Sequence, residues 1–291
     1  MVMDIDLKDI KRRKRIQAGM WGVFKCATLV NAAALCVVCG FLFYHGLPAI
    51  SWEFLTQPPR DSMTAGGIMP CILGTVLLCV GTLLVAFPLG VCAAIYLNEY
   101  AKRGVLLRLI RLGIANLAGV PSVVFGLFGL AFFVTFLGFG VSILSGVLTL
   151  TIVILPVIIG TAEEALKSVP DTYREASLGL GATKWQTIRR VVLPTALPGM
   201  LTGAILGVSR AAGETAAIMF TAAVFFAPKL PKSLFSDVMA LPYHIYVLAT
   251  AGINIEKTRP LQYGTALVLI ALVLGMNLIA IIYRARLQRK R

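Results

Sequence analysis

Six stretches in which apolar side chains run almost unbroken constrain this chain more than anything else in it: 20–44, 69–97, 114–137, 141–162, 200–227 and 264–283. A helix needs about 20 such residues to cross a hydrocarbon layer roughly 30 Å thick. In that layer the backbone must satisfy its own hydrogen bonds, so runs of this length form helices. With 58% hydrophobic and only 14% charged residues, the chain has too little polar surface to cover a water-soluble globule. The expected architecture is all-α and polytopic, with six transmembrane helices.

A seventh stretch, 238–255, is apolar but carries Pro242, Tyr243, His244, Tyr246 and Asn254. Charge bias decides its status. With six spans, and Lys25 counted at the inner edge, about 21 of the 27 Lys and Arg lie on one side, about five on the other, and Arg210 within a span. Both termini are therefore expected in the cytosol. A seventh span would export the basic C-terminal residues, so 238–255 is read as an external interfacial or re-entrant helix. The N-terminal basic cluster leads into an apolar run longer than the h-region of a cleavable signal, and is read as flanking a retained first span. The basic residues hug span ends without interleaved aromatics, which suits topology and anionic lipid better than nucleic acid. Four parts follow: a basic tail over 1–19, a first helix and external loop over 20–66, a core over 67–284 containing a cytosolic connector at 163–199, and a second basic tail over 285–291.

Metal and redox chemistry find little support. All six cysteines fall in the first two apolar runs, and Cys36 and Cys39, although spaced as CxxC, have no His or acidic neighbour. His45 and His244 are isolated and read as interfacial. No HExxH site or nucleophile with a matched base occurs, and no GxxxxGK[ST] phosphate loop. The chain is expected to bind no metal or cofactor and to be no enzyme.

The connector carries the most information. Glu163 and Lys167 are spaced to pair at i,i+4, extending the fourth helix beyond the membrane. Pro170 suits the start of a short helix, Gly179 and Gly181 allow a left-handed termination, and Thr183 with Gln186 forms a candidate capping box. The result is a helix, a glycine turn and a helix presenting Leu178, Leu180 and Trp185, poor choices for a solvated loop unless covered. An amphipathic hairpin lying on the inner leaflet would share these features. Glu175-Ala176-Ser177, Gly181 six residues after the glutamate, and Leu193-Pro194 closing the segment resemble the EAA loop of ABC importer permeases. That resemblance implies docking onto a separate cytosolic ATPase through Glu175, Ala176, Ser177, Leu178, Gly181, Ala182 and Trp185.

The fifth run holds the rarest chemistry. Arg210 lies about ten residues into a helix expected to start near Met200, roughly 15 Å deep, where an unpartnered charge costs about 2.5–3.5 kcal/mol on insertion scales. Glu214 follows at i+4. Gly199, Gly203, Gly207 and Ala211 form a small-residue stripe that turns both charges toward the bundle. Two readings follow, which are not exclusive: the two charges pair to lock packing, or Arg210 lowers the barrier to an oxyanion while Glu214 holds the guanidinium or alternates partners as the gate moves. Pro88, Pro121 and Pro156 sit inside spans, where each removes a backbone donor, and Pro121, beside Asn116 and Ser122, is the candidate hinge.

The stretches from Ser209 to Ala216, Phe220 to Ala222, Asn116 to Ser122, Phe125 to Leu127 and Tyr96 to Tyr100 resemble the phosphate importer permeases of the PstA type. The resemblance implies the type I ABC importer permease fold in the inner membrane and a pathway lined by Arg210, Glu214, Asn116, Ser122 and Thr215. It also implies inorganic phosphate as substrate, a PstC-type sister permease, two PstB-type ATPase subunits using ATP and Mg, and a PstS-type external binding protein. A sulfate, molybdate or tungstate permease is the runner-up, ahead of a secondary transporter or channel.

Overall fold

The computed structural model describes residues 7–60, 63–102, 104–227, 229–251 and 255–289. The basic cluster and the first apolar run form a single helix, α1 (Leu7–Gly46), about 60 Å long. Its described part spans the boundary placed between residues 19 and 20; residues 1–6 of the tail lie outside the described residues. Lys25 lies over the Trp21 ring at 5.8 Å. An external segment follows, with α2 (Trp52–Thr56) capped by Ser51 and a two-stranded antiparallel ribbon, β1 (Pro59–Arg60) with β2 (Ala65–Gly66).

The bundle is built on α3 (Met69–Ile95), α6 (Ile143–Lys167) and α9 (Leu193–Ala212), with α12 (Ile255–Arg289) on its flank. The expected stripe on α9 faces α6. A Cβ at Gly199 would meet that of Ala165 at 2.7 Å, one at Gly203 would overlap the Thr161 hydroxyl, and one at Gly207 would touch Ile154 and Ile158 at about 3.5 Å. Close approach of the two backbones thus depends on the small residues. One core cluster joins Leu78, Ala86, Leu150, Val153, Ile154, Ala211, Ala217 and Ile218. A second, at the opposite end of α9, joins Ala94, Ile95, Leu166, Ile188, Val192 and Met200.

Among the described residues, five helices are long and apolar enough to cross a membrane, and a sixth span follows if one bent pair counts as a unit. That pair replaces the straight helix expected over 114–137. It consists of α4 (Val105–Ala118) and α5 (Ser122–Gly129), the latter continuing as a π-helix over Leu130–Phe136, with a bend of 99° between them. Pro121 lacks the N–H that would continue α4 and disfavours helical geometry at Val120, which is why the chain turns there.

The run over 200–227 also departs from expectation. The helix begins earlier, at α8 (Lys184–Thr187), passes through a π-helix at Ile188–Val192 and continues as α9. It runs through Leu193-Pro194, expected to close the segment. It then stops at Ala212, and a separate α10 (Ala216–Thr221) follows. The doubtful stretch 238–255 yields α11 (Leu241–Thr250), ten residues long and too short to cross. Asn254 lies outside the described residues. Leu241 N–H donates to Thr75 Oγ1 of α3 at 2.9 Å. His244, expected at an interface, is instead only 4% exposed.

Candidate functional site

Two helix breaks lie side by side on the bundle. At the first, Gly119 caps α4 by donating to Asn116 O at 3.0 Å, and Pro121 holds an extended conformation that starts α5 at Ser122. Asn116 and Pro121 are exposed and Ser122 half-buried. At the second, Gly213 caps α9 one residue after its end, and Glu214 and Thr215 connect to α10. The breaks adjoin because α5 packs on α10: a Cβ at Gly126 would sit 2.9 Å from both Ala216 O and the Phe220 ring. Leu117 and Val120 pack on the cluster that includes Ala211, Ala212 and Ala217. Six expected pathway and hinge residues thus fall at two neighbouring breaks: Asn116, Pro121 and Ser122 at one, Arg210, Glu214 and Thr215 at the other.

Arg210 was placed at mid-depth by counting from Met200, and that count is wrong because the helix starts sixteen residues earlier, at Lys184. Its level along the bundle follows from packing. Gly207 lies against Ile154 and Ile158, flanking the centre of α6, so Arg210 lies less than one turn from that level. The expected i,i+4 pairing with Glu214 is absent, since the helix ends between the two residues. Arg210 instead occupies the last turn of α9, where the negative end of the helix dipole favours a cation. Glu214 Oε1 accepts from Ala217 N–H at 3.3 Å at the start of α10. Each charge is thus served by a helix end. Arg210, half-buried, has no hydrogen-bond or ion-pair partner among the described residues, leaving up to five N–H donors uncommitted. One turn away from the break, Asn277 Nδ2 donates to Ser209 Oγ at 2.8 Å and ties α12 to α9. Nothing local in the sequence marks Asn277 as a partner for a residue 68 positions away.

At the cytosol-facing end expected for the connector, the helix, glycine turn and helix form as read. α7 (Asp171–Gly179) starts after Pro170 and ends in a Schellman motif. Ala182 N–H donates to Ser177 O at 3.2 Å and Gly181 N–H to Leu178 O at 2.9 Å, with Gly181 at φ +81°. Gly179 remains helical. Thr183 and Gln186 make the capping box of α8 in both directions. Ser177, where the EAA pattern has alanine, bonds through its hydroxyl to the buried Thr187 at 2.9 Å and pins α7 to α8. Glu175, Ala176, Leu178, Gly181 and Trp185 are exposed and Ala182 half-buried. Leu180 is 90% and Trp185 54% exposed, so the hairpin presents an uncovered apolar surface.

The inward side of α7 was not anticipated. Arg174, 17% exposed, donates to Leu166 O at 2.8 Å, Val169 O at 2.7 Å, Asp171 at 3.1 Å and Glu99 at 3.0 Å. Glu99 belongs to a π-helix, Tyr96–Tyr100, that ends α3. Nearby, Glu163 pairs with Lys167 at 2.8 Å, as expected, and with Arg111 of α4 at 2.6 Å. Arg111 also donates to Leu97 O at 3.3 Å. A polar cavity of about 500 Å³ lies among Asn98, Glu99, Arg111, Lys167, Asp171 and Arg174.

Residues 86–291 match the family described as "Binding-protein-dependent transport system inner membrane component". The chain is 34% identical over 290 residues to the phosphate transport system permease protein PstA of Mycobacterium leprae, covering 97% of this chain and 93% of that one. It is 38% identical over 242 residues to PstA 1 of Mycobacterium tuberculosis, covering 82% and 78%. A Bacillus subtilis relative named "Probable ABC transporter permease protein YqgI" is 34% identical over 277 residues, covering 91% and 93%. Among solved structures, an inward-facing MetNI methionine ABC transporter aligns with TM-score 0.57 at 19% identity over 76% of this chain and 94% of that one. A bacterial ABC transporter that imports alginate aligns at 0.51 and 16% identity over 92% and 98%. The bundle is thus that of a multi-pass ABC importer permease, and the chain belongs to the family of binding-protein-dependent transport system inner membrane components.

Proposed function

We propose that this chain is one of two permease subunits of an ATP-driven importer of inorganic phosphate, with both termini in the cytosol. The observation that carries the reading is Arg210: a half-buried guanidinium near mid-bundle, at a helix end beside a second helix break, with its donors uncommitted. A guanidinium matches a tetrahedral oxyanion through charge-assisted, forked hydrogen bonds, and in a low-dielectric bundle it offsets the cost of taking such an anion out of water. The phosphate permeases among the relatives support this substrate over sulfate, molybdate or tungstate. Asn116, Ser122 and Thr215 add neutral polar groups on the two breaks, and Glu214 stays with α10 and sets the local charge balance.

In this reading the exposed Glu175, Leu178 and Trp185, with Ala176, Gly181 and Ala182, dock on a PstB-type ATPase, while Ser177 holds the hairpin together. A PstC-type sister completes the pathway, and a PstS-type binding protein delivers phosphate from outside. ATP and Mg act in the ATPase chains. ATP-driven closure of the two ATPase subunits moves the hairpin, and α8 with α9 forms a continuous shaft from the hairpin to Arg210. The bundle opens outward to receive the anion, and hydrolysis resets it.

The test is uptake of labelled phosphate by vesicles containing this chain, its sister, the ATPase and the binding protein, with sulfate and molybdate as competitors. Uptake should require all four parts and resist both competitors, and Arg210→Gln should abolish it without loss of assembly. Normal uptake by an assembled Arg210→Gln complex would sink the role of Arg210; competition by sulfate or molybdate would move the substrate.

A further inference from the structure

The hairpin formed by α7 and α8 has two routes into the bundle. The first is covalent, through the π-helix Ile188–Val192 into α9 and on to the break at Gly213. The second is polar. Arg174 binds Glu99 through two of its nitrogens, Nε at 3.3 Å and Nη2 at 3.0 Å, and Glu99 is 9% exposed. Glu99 sits in the π-helix that closes α3, two residues from Leu97, whose carbonyl accepts from Arg111 of α4. Arg111 is anchored again on Glu163 of α6. From Arg111, α4 runs without interruption to the break at Gly119–Pro121. One hairpin therefore connects to both breaks, by a separate route to each.

We propose that the Arg174–Glu99 pair is a positioning pair that carries hairpin motion to the α4–α5 break, so that the two breaks open and close together. This rests on the importer reading above. Three features set the pair apart from the docking surface. Arg174 points inward, while Leu178, Leu180 and Trp185 of the same hairpin are exposed. Its bonds to Leu166 O and Val169 O hold α7 to the end of α6 without help from Glu99. A charge pair with little solvent around it keeps its geometry far better than an exposed one, as a linkage must. Removing the Glu99 charge thus leaves α7 seated on α6 and weakens only the route to α3 and α4. Asn98 Nδ2 at 2.9 Å and both Arg174 nitrogens donate to the same Glu99 Oε1, so a glutamine keeps that acceptor and loses the charge that makes the Arg174 bonds strong.

The experiment uses the four-part complex in vesicles and reads two quantities: phosphate taken up per ATP hydrolysed, and the ATPase retained on purification. Glu99→Gln should retain the ATPase and its hydrolysis, while uptake per ATP falls about tenfold, within the range of one allosteric coupling. Arg174→Lys, which keeps a charge facing Glu99, should hold most of the coupling. The double variant Glu99→Gln with Arg174→Lys, whose ammonium still has donors for the carbonyls of Leu166 and Val169, should lose no more uptake per ATP than Glu99→Gln alone, because the two residues form one link. Unchanged uptake per ATP in Glu99→Gln overturns the proposal, as does loss of bound ATPase in proportion to lost uptake. The parent complex, assayed alongside, keeps the questions apart: if it takes up no phosphate the importer reading fails, whereas a working parent with a fully coupled Glu99→Gln complex removes only the link.

Discussion

His244 stands on α11 with its Nδ1 buried and without a hydrogen-bond partner among the described residues. Burial lowers its pKa from 6.5 to about 4. In the unfolded chain the imidazole gains its proton as pH falls through 6.5, but in the folded protein only near 4, so acid favours the unfolded state between these values. Melting in detergent should show stability falling across that window, by about 3 kcal/mol at most, and His244→Leu should flatten the dependence. An unchanged pH profile in that variant would refute the assignment. Residues with short-range partners were the legible ones: Thr183 with Gln186, and Glu163 with Lys167, declare themselves by spacing. Arg174 did not, because Glu99 lies 75 residues away in sequence. The i,i+4 spacing of Arg210 and Glu214 misled because it presumes a helix that ends between them.

Helix breaks followed a less regular rule. Pro121 announced the first, but Gly213 is one glycine among several in the run over 200–227, and the four-residue spacing of Arg210 and Glu214 across it argued for a continuing helix. Pro194 and Pro198 look like boundaries, and the helix runs through both. The π-helix immediately before Leu193 loosens the pairing where Pro194 supplies no donor, and neighbouring helices pack the rest, so proline is tolerated. The seam between α5 and α10 can be tested through its close approach. In Gly126→Val the new side chain would strike Ala216 O and the Phe220 ring, costing about 1–3 kcal/mol and, by prying the two breaks apart, most of the uptake. Gly179→Ala is the control: it meets nothing within 4 Å, lies in a helix, and should raise the melting temperature slightly. Equal behaviour of the two variants in melting and uptake would refute the seam's role.

For the molecule as a whole, long apolar runs and clustered charges were enough to reveal a helical membrane protein, because both respond to the bilayer and not to distant neighbours. Handedness of insertion remains testable by reporter fusions. A reporter that works only in the cytosol should be active after residue 291, and one that works only outside should be active within 229–232. The opposite pattern would invert the topology and move the hairpin away from any cytosolic ATPase. The π-helix at Ile188–Val192 adds a consequence of a different kind. Its turn holds one residue more than an α turn, so deleting one residue there would restore an ordinary α turn and leave everything beyond facing nearly the same way. The same deletion early in α9 has no such slack: everything beyond would rotate by about 100°, the glycine stripe would leave α6 and Arg210 would swing to another face, although no side chain of the pathway had been altered. The π turn is thus slack held in the shaft: a one-residue gap is absorbed there and passed on as rotation elsewhere.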